Sequence, residues 1–184
     1  MQKICLISFS SRPNGNCGRT AGMLHQKYGE RSVLYDFSTF TITPCGRCGY
    51  ECFQAREDCP YCNDPEYAVC SAIAGSGLAC FIVPNYCDYP CANFFAFNER
   101  SQCYFQHHPA LLTQYLSVKK KFIVISNTGR ENFITAFRYH VAEGVEPDIL
   151  FLSAKRFHKT SIRGDLMDAP EARAAVLQFM SSVG

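Results

Sequence analysis

Short uninterrupted apolar runs alternate along this chain with segments whose apolar residues recur every three to four positions. The runs are Ile4–Ile7, Val33–Phe37, Leu78–Val83, Lys121–Ser126 and Ile149–Leu152. Runs of this length without polar alternation are strands covered on both faces. Between them, Ala21, Met23, Leu24 and Tyr28 recur at helical spacing. Pro65–Ala74 reads as a helix with Asp64 at its N-cap and proline in its first turn. Cys91–Arg100, Glu131–Val141 and Ala169–Ser182 read as further helices, and Pro84 marks the expected end of the third strand. Ser101–Ser117 carries no decisive period. Such alternation predicts the α/β class, a parallel sheet wound by right-handed crossovers. In these sheets ligands sit beyond the carboxyl ends of the strands.

Composition adds bounds to this picture. With 184 residues, 47% of them hydrophobic and 18% charged, the chain is expected to form one domain that buries a real core without disulfides. Its net charge of +2 and the lack of a basic helical stripe argue against nucleic acid as a partner. Lys119, Lys120 and Lys121 read as simply preceding an apolar run. No apolar stretch reaches about 18 residues, so no membrane partner is expected. The apolar run near Met1 is too short for a signal peptide, and the cytoplasm is the expected location.

Three loops follow strands and should open on one edge. The first, Ser8–Cys17, opens the first helix. A helix N-terminus there offers unpaired N–H groups, Ser10, Ser11 and Asn16 offer side-chain donors, and Arg12 offers a cation. Gly15, after Asn14, lets the backbone turn closely around a phosphate. Taken alone, the loop is equally a polar turn with a capping Asn. The second loop contains Pro84, Asn85, Tyr86, Cys87 and Asp88; its aromatic residues and amides suit a planar ring, or simply a proline-bounded turn. The third contains Asn127, Thr128 and Gly129, and alone reads as a polar connection.

With these loops in place, the sequence resembles the NAD(P)H-dependent FMN reductases, multimeric flavodoxins and iron–sulfur flavoproteins of the flavodoxin-like superfamily. The resemblance is carried by Ser10-Ser11-Arg12-Pro13-Asn14-Gly15-Asn16-Cys17, similar to a Ser-x-Arg-x-x-Gly-Asn-Thr phosphate loop, with Cys17 replacing the usual Thr. A thiol is a weaker donor than a hydroxyl. Pro84-Asn85-Tyr86 and Asn98-Glu99-Arg100 resemble the start and end of a second family pattern, and Asn127–Gly129 a second ring loop. The resemblance implies a three-layer, doubly wound fold with five parallel strands in the order 2-1-3-4-5. Residues 1–184 would form one FMN-binding domain with a Cys-rich insertion at about 41–64. It implies an FMN-dependent oxidoreductase drawing on NAD(P)H, with a small-molecule or protein acceptor. The other readings are a non-catalytic electron carrier and an interaction module with a zinc-tied loop. A single phosphate loop without a second dinucleotide fingerprint favours FMN over FAD. A homodimer is expected, with the aromatic residues Phe94, Phe95 and Phe97 of the Cys91–Arg100 helix at or near the contact.

Twelve cysteines remain to be explained, and Cys45, Cys48, Cys52, Cys59 and Cys62 crowd one stretch. Two C-x-x-C pairs in thiolate-rich sequence suit a [4Fe-4S] cluster or zinc. The alternative is thiols that stay reduced or pair with each other. Because this segment follows the second strand, it is expected beside the flavin site. Cys5, Cys70 and Cys80 read as small core residues.

Overall fold

The computed structural model describes residues 3–54, 59–106, 108–125 and 130–181. Five parallel strands form its centre: β1 (Ile4–Ser8), β2 (Ser32–Asp36), β3 (Leu78–Tyr86), β5 (Lys119–Ile125) and β6 (Asp148–Leu152). They lie in the order β2-β1-β3-β5-β6. The numbering departs from the five-strand expectation because a two-residue strand, β4 (Tyr89–Pro90), pairs antiparallel with the end of β3, off the main path.

The strand interiors show why unbroken apolar runs were required. Ile4, Leu6, Cys80, Ile82 and Ile123 point to one face and join helices α1 (Asn16–Tyr28) and α6 (Pro170–Ser181) in one core. Cys5, Ile7, Phe81, Val83, Phe122 and Val124 point to the other. There they meet α2 (Pro65–Ala74), α3 (Ala92–Gln106), α4 (Pro109–Ser117) and α5 (Arg130–Phe137). Period-two alternation thus feeds two cores, one on each face. The second is rich in aromatic rings: Phe9 packs against Phe37, Phe81, Phe94 and Phe97.

Three local readings are corrected. β3 runs through Pro84 to Tyr86. Ile82 offers its carbonyl to Phe9 N on the β1 side, so the missing N–H of Pro84, two residues on, falls on that side beyond the last residue of β1. The undecided stretch becomes the second half of α3 plus α4, divided where Pro109 begins a new helix. The lysines before the fourth parallel strand are part of it. Lys120 Nζ donates to the carbonyls of Tyr115 and Val118, and Lys121 Nζ to that of Phe179 while pairing with Asp148. Burial lowers Lys120 to about 8. The expected N-cap is present: Asp64 accepts from Glu66 N at 3.1 Å. No helix of the described residues is long and apolar enough to cross a membrane.

Candidate functional site

β1 ends at Ser8, and eight residues later the chain enters α1 at Asn16. The turn between is closed by its own backbone: Gly15 N donates to Arg12 O at 3.2 Å, and Asn14 takes a left-handed φ of 56°. A Cβ on Gly15 would stand 3.2 Å from Arg12 O, so the turn suits a residue without one. Gly15 is also the N-cap and provides no side-chain cap. The first N–H groups of α1 are therefore left to whatever lies in front of them.

Asn16 adds a fixed donor. Its Oδ1 accepts from Leu166 N at 2.9 Å, while its buried Nδ2 has no hydrogen-bond partner. Ser8 Oγ is likewise buried without one. Ser10 Oγ accepts from Arg12 N, and Ser11 Oγ accepts from Asn93 Nδ2 at 2.8 Å. The same Asn93 amide donates to Phe9 O at 3.0 Å, and the Cys91 thiol also reaches that carbonyl. The start of α3 therefore clamps the loop. Cys17 is buried, and burial, then Cys91 and Asp36, push its thiol well above its usual range.

Arg12 has a different setting from the expected phosphate cation. Its guanidinium donates to the carbonyls of Ser161 and Ile162, in the loop after β6. Arg19 binds the neighbouring Gly164 carbonyl at 2.7 Å and pairs with Asp168, whose carboxyl is held low by that hydrogen bond. The loop after β6 is thus fastened onto the loop after β1 by two arginines and Asn16.

The second expected loop is a β-hairpin. Tyr86 pairs with Tyr89, and Cys87 and Asp88 between them both take positive φ, 53° and 66°. This is the geometry of a two-residue primed turn, normally rich in Gly and Asn. Asn132 of α5 donates to Asp88 O at 2.9 Å and ties the tip down. Pro84, Asn85 and Tyr86 share a small cavity of about 70 Å³ with Ser10, Gly15, Asn16 and Ser161. Cys87 is exposed at the tip and is not among the residues that wall it. Asn127, Thr128 and Gly129 lie outside the described residues. A larger cavity of about 720 Å³ lies elsewhere, between α3 and α4, and none of its walls comes from these loops.

The Cys-rich segment leaves β2 on the expected edge but gathers against α3. Arg100, fully buried, donates to Thr43 O at 2.6 Å and Tyr61 O at 3.2 Å, pairs with Asp64 at 2.8 Å, and sits 3.2 Å from Glu66. Burial raises Glu66 to about 8 against the pull of Arg100. One turn further along α3, Cys103 forms a buried cluster with Cys52 and Cys59, with Cys45 against it. Among the described residues no three His, Cys, Asp or Glu side chains are arranged to hold a metal. The expected metal set of Cys45, Cys48, Cys52, Cys59 and Cys62 therefore finds no support: part of it packs as a thiol cluster completed by Cys103. Cys48 and Cys62 are half-buried outside that cluster.

Sequence reasoning passed over Asn93, Ser161 and Cys103. For Ser161 a signal existed, because the loop after β6 opens on the same edge as the loop after β1. The partners of Asn93 and Cys103 follow from the path of α3, whose second half carried no readable period. Phe94 and Phe97, expected near a dimer contact, are fully buried in the core, and Phe95 is exposed, at 38%.

No family model and no curated protein sequence matches this chain. Solved structures do. The chain is similar to the Trp repressor binding protein from Bacillus subtilis, with a TM-score of 0.60 at 14% identity over 99% of this chain and 100% of that one. It is similar to the apo form of EmoB, a NADH:FMN oxidoreductase, with a TM-score of 0.54 at 12% identity over 100% of this chain and 91% of that one. It is also similar to FerB, a flavoenzyme NAD(P)H:(acceptor) oxidoreductase from Paracoccus denitrificans, with a TM-score of 0.52 at 11% identity over 98% and 96%. The likeness is one of fold: an α/β chain with a parallel sheet.

Proposed function

We propose that this chain is an FMN-dependent oxidoreductase that passes reducing equivalents from NAD(P)H through bound FMN to a small-molecule or protein acceptor. One observation carries the reading. Asn16 Nδ2 is a buried donor without a partner, at the uncapped N-terminus of α1. A buried polar group left unpaired is costly, and an anion in front of this helix would satisfy it. The donor set fits a single phosphate: α1 backbone N–H groups, Asn16 Nδ2 and the Ser10 hydroxyl. Gly15 leaves the room that a Cβ would take, and Arg12 holds the adjoining loop and keeps the cavity walled by Ser161. Cys17 contributes its backbone rather than a strong side-chain donor. Asn85 and half-exposed Tyr86 provide a wall for a ring.

Bound FMN would supply hydride and single-electron chemistry, for which the protein provides binding, orientation and electrostatics. Two structures of similar fold carry NADH:FMN and NAD(P)H:(acceptor) oxidoreductase names, which agrees with this reading. Titration with FMN, FAD and riboflavin tests it. FMN should bind, riboflavin at least tenfold more weakly, and FAD no better than FMN. Equal binding of riboflavin would remove the phosphate argument. Oxidation of NADH or NADPH with ferricyanide then separates an enzyme from a carrier, because a carrier would retain FMN yet fail to turn over. A homodimer that uses the outward side of α3 completes the proposal; light scattering at micromolar concentration checks it, and a monomer would end it.

A further inference from the structure

The cysteines invite pairing within C-x-x-C, as Cys45–Cys48 and Cys59–Cys62. The fold brings together a different pair. Cys52 Sγ and Cys103 Sγ lie 3.5 Å apart although 51 residues separate them in sequence. Cys52 sits on the short 3₁₀ turn Glu51–Phe53, and Cys103 on α3. Both are buried, at 3% and 6% exposure, and Cys59 lies in the same cluster. Among the described residues, that turn is the sole regular element between β2 and α2. Closing the contact to a bond of about 2.05 Å takes a shift of roughly 1.5 Å, which a segment of this kind can make more easily than α3 can.

We infer that Cys52 and Cys103 are a disulfide-forming pair that staples the Cys-rich segment to α3 when the protein meets a hydroperoxide. The chemistry balances in two steps. One thiol attacks the peroxide, the O–O bond breaks, and a sulfenic acid and one water (or one alcohol, from an alkyl hydroperoxide) form. The second thiol displaces the sulfenic oxygen, the S–S bond forms, and water leaves. Two thiols are oxidised by two electrons and one peroxide is reduced. Burial, the hydrogen bond with Cys52 and the neighbouring Cys45 hold the Cys103 thiol well above its ordinary range. Either thiol can be the first to react, and the other then resolves. Cys52 and Cys103 are buried whereas Cys87 at the hairpin tip is exposed, so an alkylating agent should reach Cys87 before the pair.

The test is peptide mapping of the full chain. Reduced protein is treated with hydrogen peroxide, blocked with iodoacetamide, denatured, blocked again, and digested with trypsin. The expected product joins residues 48–56 to 101–119 with the loss of two hydrogens, and dithiothreitol reverses it. Cys48 shares the first peptide, so Cys48→Ser should keep the product and Cys52→Ser should lower it at least tenfold. Cross-links confined to Cys45–Cys48 or Cys59–Cys62 would overturn the inference. So would full alkylation of Cys52 and Cys103 after peroxide, or a tightly held zinc or iron that blocks oxidation until chelated. If a variant fails to fold, fragmentation of the wild-type cross-linked peptide between Cys48 and Cys52 decides which of the two is joined to Cys103.

Discussion

Two loops leave the same edge of the sheet from neighbouring strands: one is tied at several points, the other mainly at one. The loop from Ser8 to Asn16 is short: its turn closes on Arg12 O, its own Arg12 and Asn16 side chains bind the loop after β6, and Asn93 of α3 grips it through Phe9 O and Ser11. The segment from Phe37 to Asp64 is long and held by side chains, above all by the single guanidinium of Arg100, which binds Thr43, Tyr61 and Asp64. A short loop closed by its own turn and tied at several points holds its N–H groups at fixed positions, which suits the recognition of an anion. A loop built on one buried ion network depends on that network, and one substitution can release it.

The comparison can be broken most directly at Arg100. Arg100→Ala should cost on the order of 3–5 kcal/mol, because it removes a fully buried guanidinium and leaves partly buried Asp64 without its cation. Urea unfolding measures the loss. FMN binding per folded molecule should stay within about twofold. A variant of unchanged stability would show that the network does not hold the segment.

A pH series sharpens the same contrast. The folded pKa of Glu66, raised to about 8 from 4.5, means that the native state binds the proton more tightly. Its contribution is complete below about 4.5 and is lost as pH rises through 8, at no more than about 1.4 kcal/mol per pH unit. Stability measured from pH 5 to 9 should therefore slope downward in the wild type and flatten in Glu66→Gln. Parallel curves would place the proton elsewhere.

On the first loop the effects are smaller and read out in binding. Asn16→Ala removes the orphan donor and the acceptor for Leu166 N, so stability should fall by about 1 kcal/mol and FMN affinity by up to roughly tenfold. An unchanged dissociation constant in calorimetry would detach Asn16 from the phosphate. Smallest of all, Asp88→Gly should raise stability by a few tenths to about 1 kcal/mol, because glycine takes the positive φ of the hairpin tip without strain. A loss on thermal unfolding would mean that the Asp88 side chain carries a contact worth more than the strain.

Strands buried on both faces announce themselves, and Ile4–Ile7 and Leu78–Val83 were legible for that reason. Two features resisted. Pro84 reads as a terminator because proline lacks an N–H, yet here that gap falls on an unpaired side. The turn at Cys87 and Asp88 has none of the glycine that normally marks a primed hairpin, so it reads as loop. At the site, Ser10 to Asn16 could be located from the order of elements. The partners of Arg12 could not, because they stand 149 and 150 residues away. The cysteine pattern was incomplete for a related reason: spacing along the chain favours near neighbours, and Cys103 enters only through packing.

Helix α3 touches both regions. Asn93 at its start grips the first loop through Phe9 and Ser11, and Cys103, ten residues on, belongs to the thiol cluster. Ten helical residues span about 15 Å of nearly rigid rod. Such a strut makes the two ends partners in one balance. If seating an anion in front of α1 biases the position of α3, joining Cys52 to Cys103 must change anion affinity by the same factor by which the anion changes the ease of that bond. The distance between the loops is then a measure of how far a change of oxidation state can be felt.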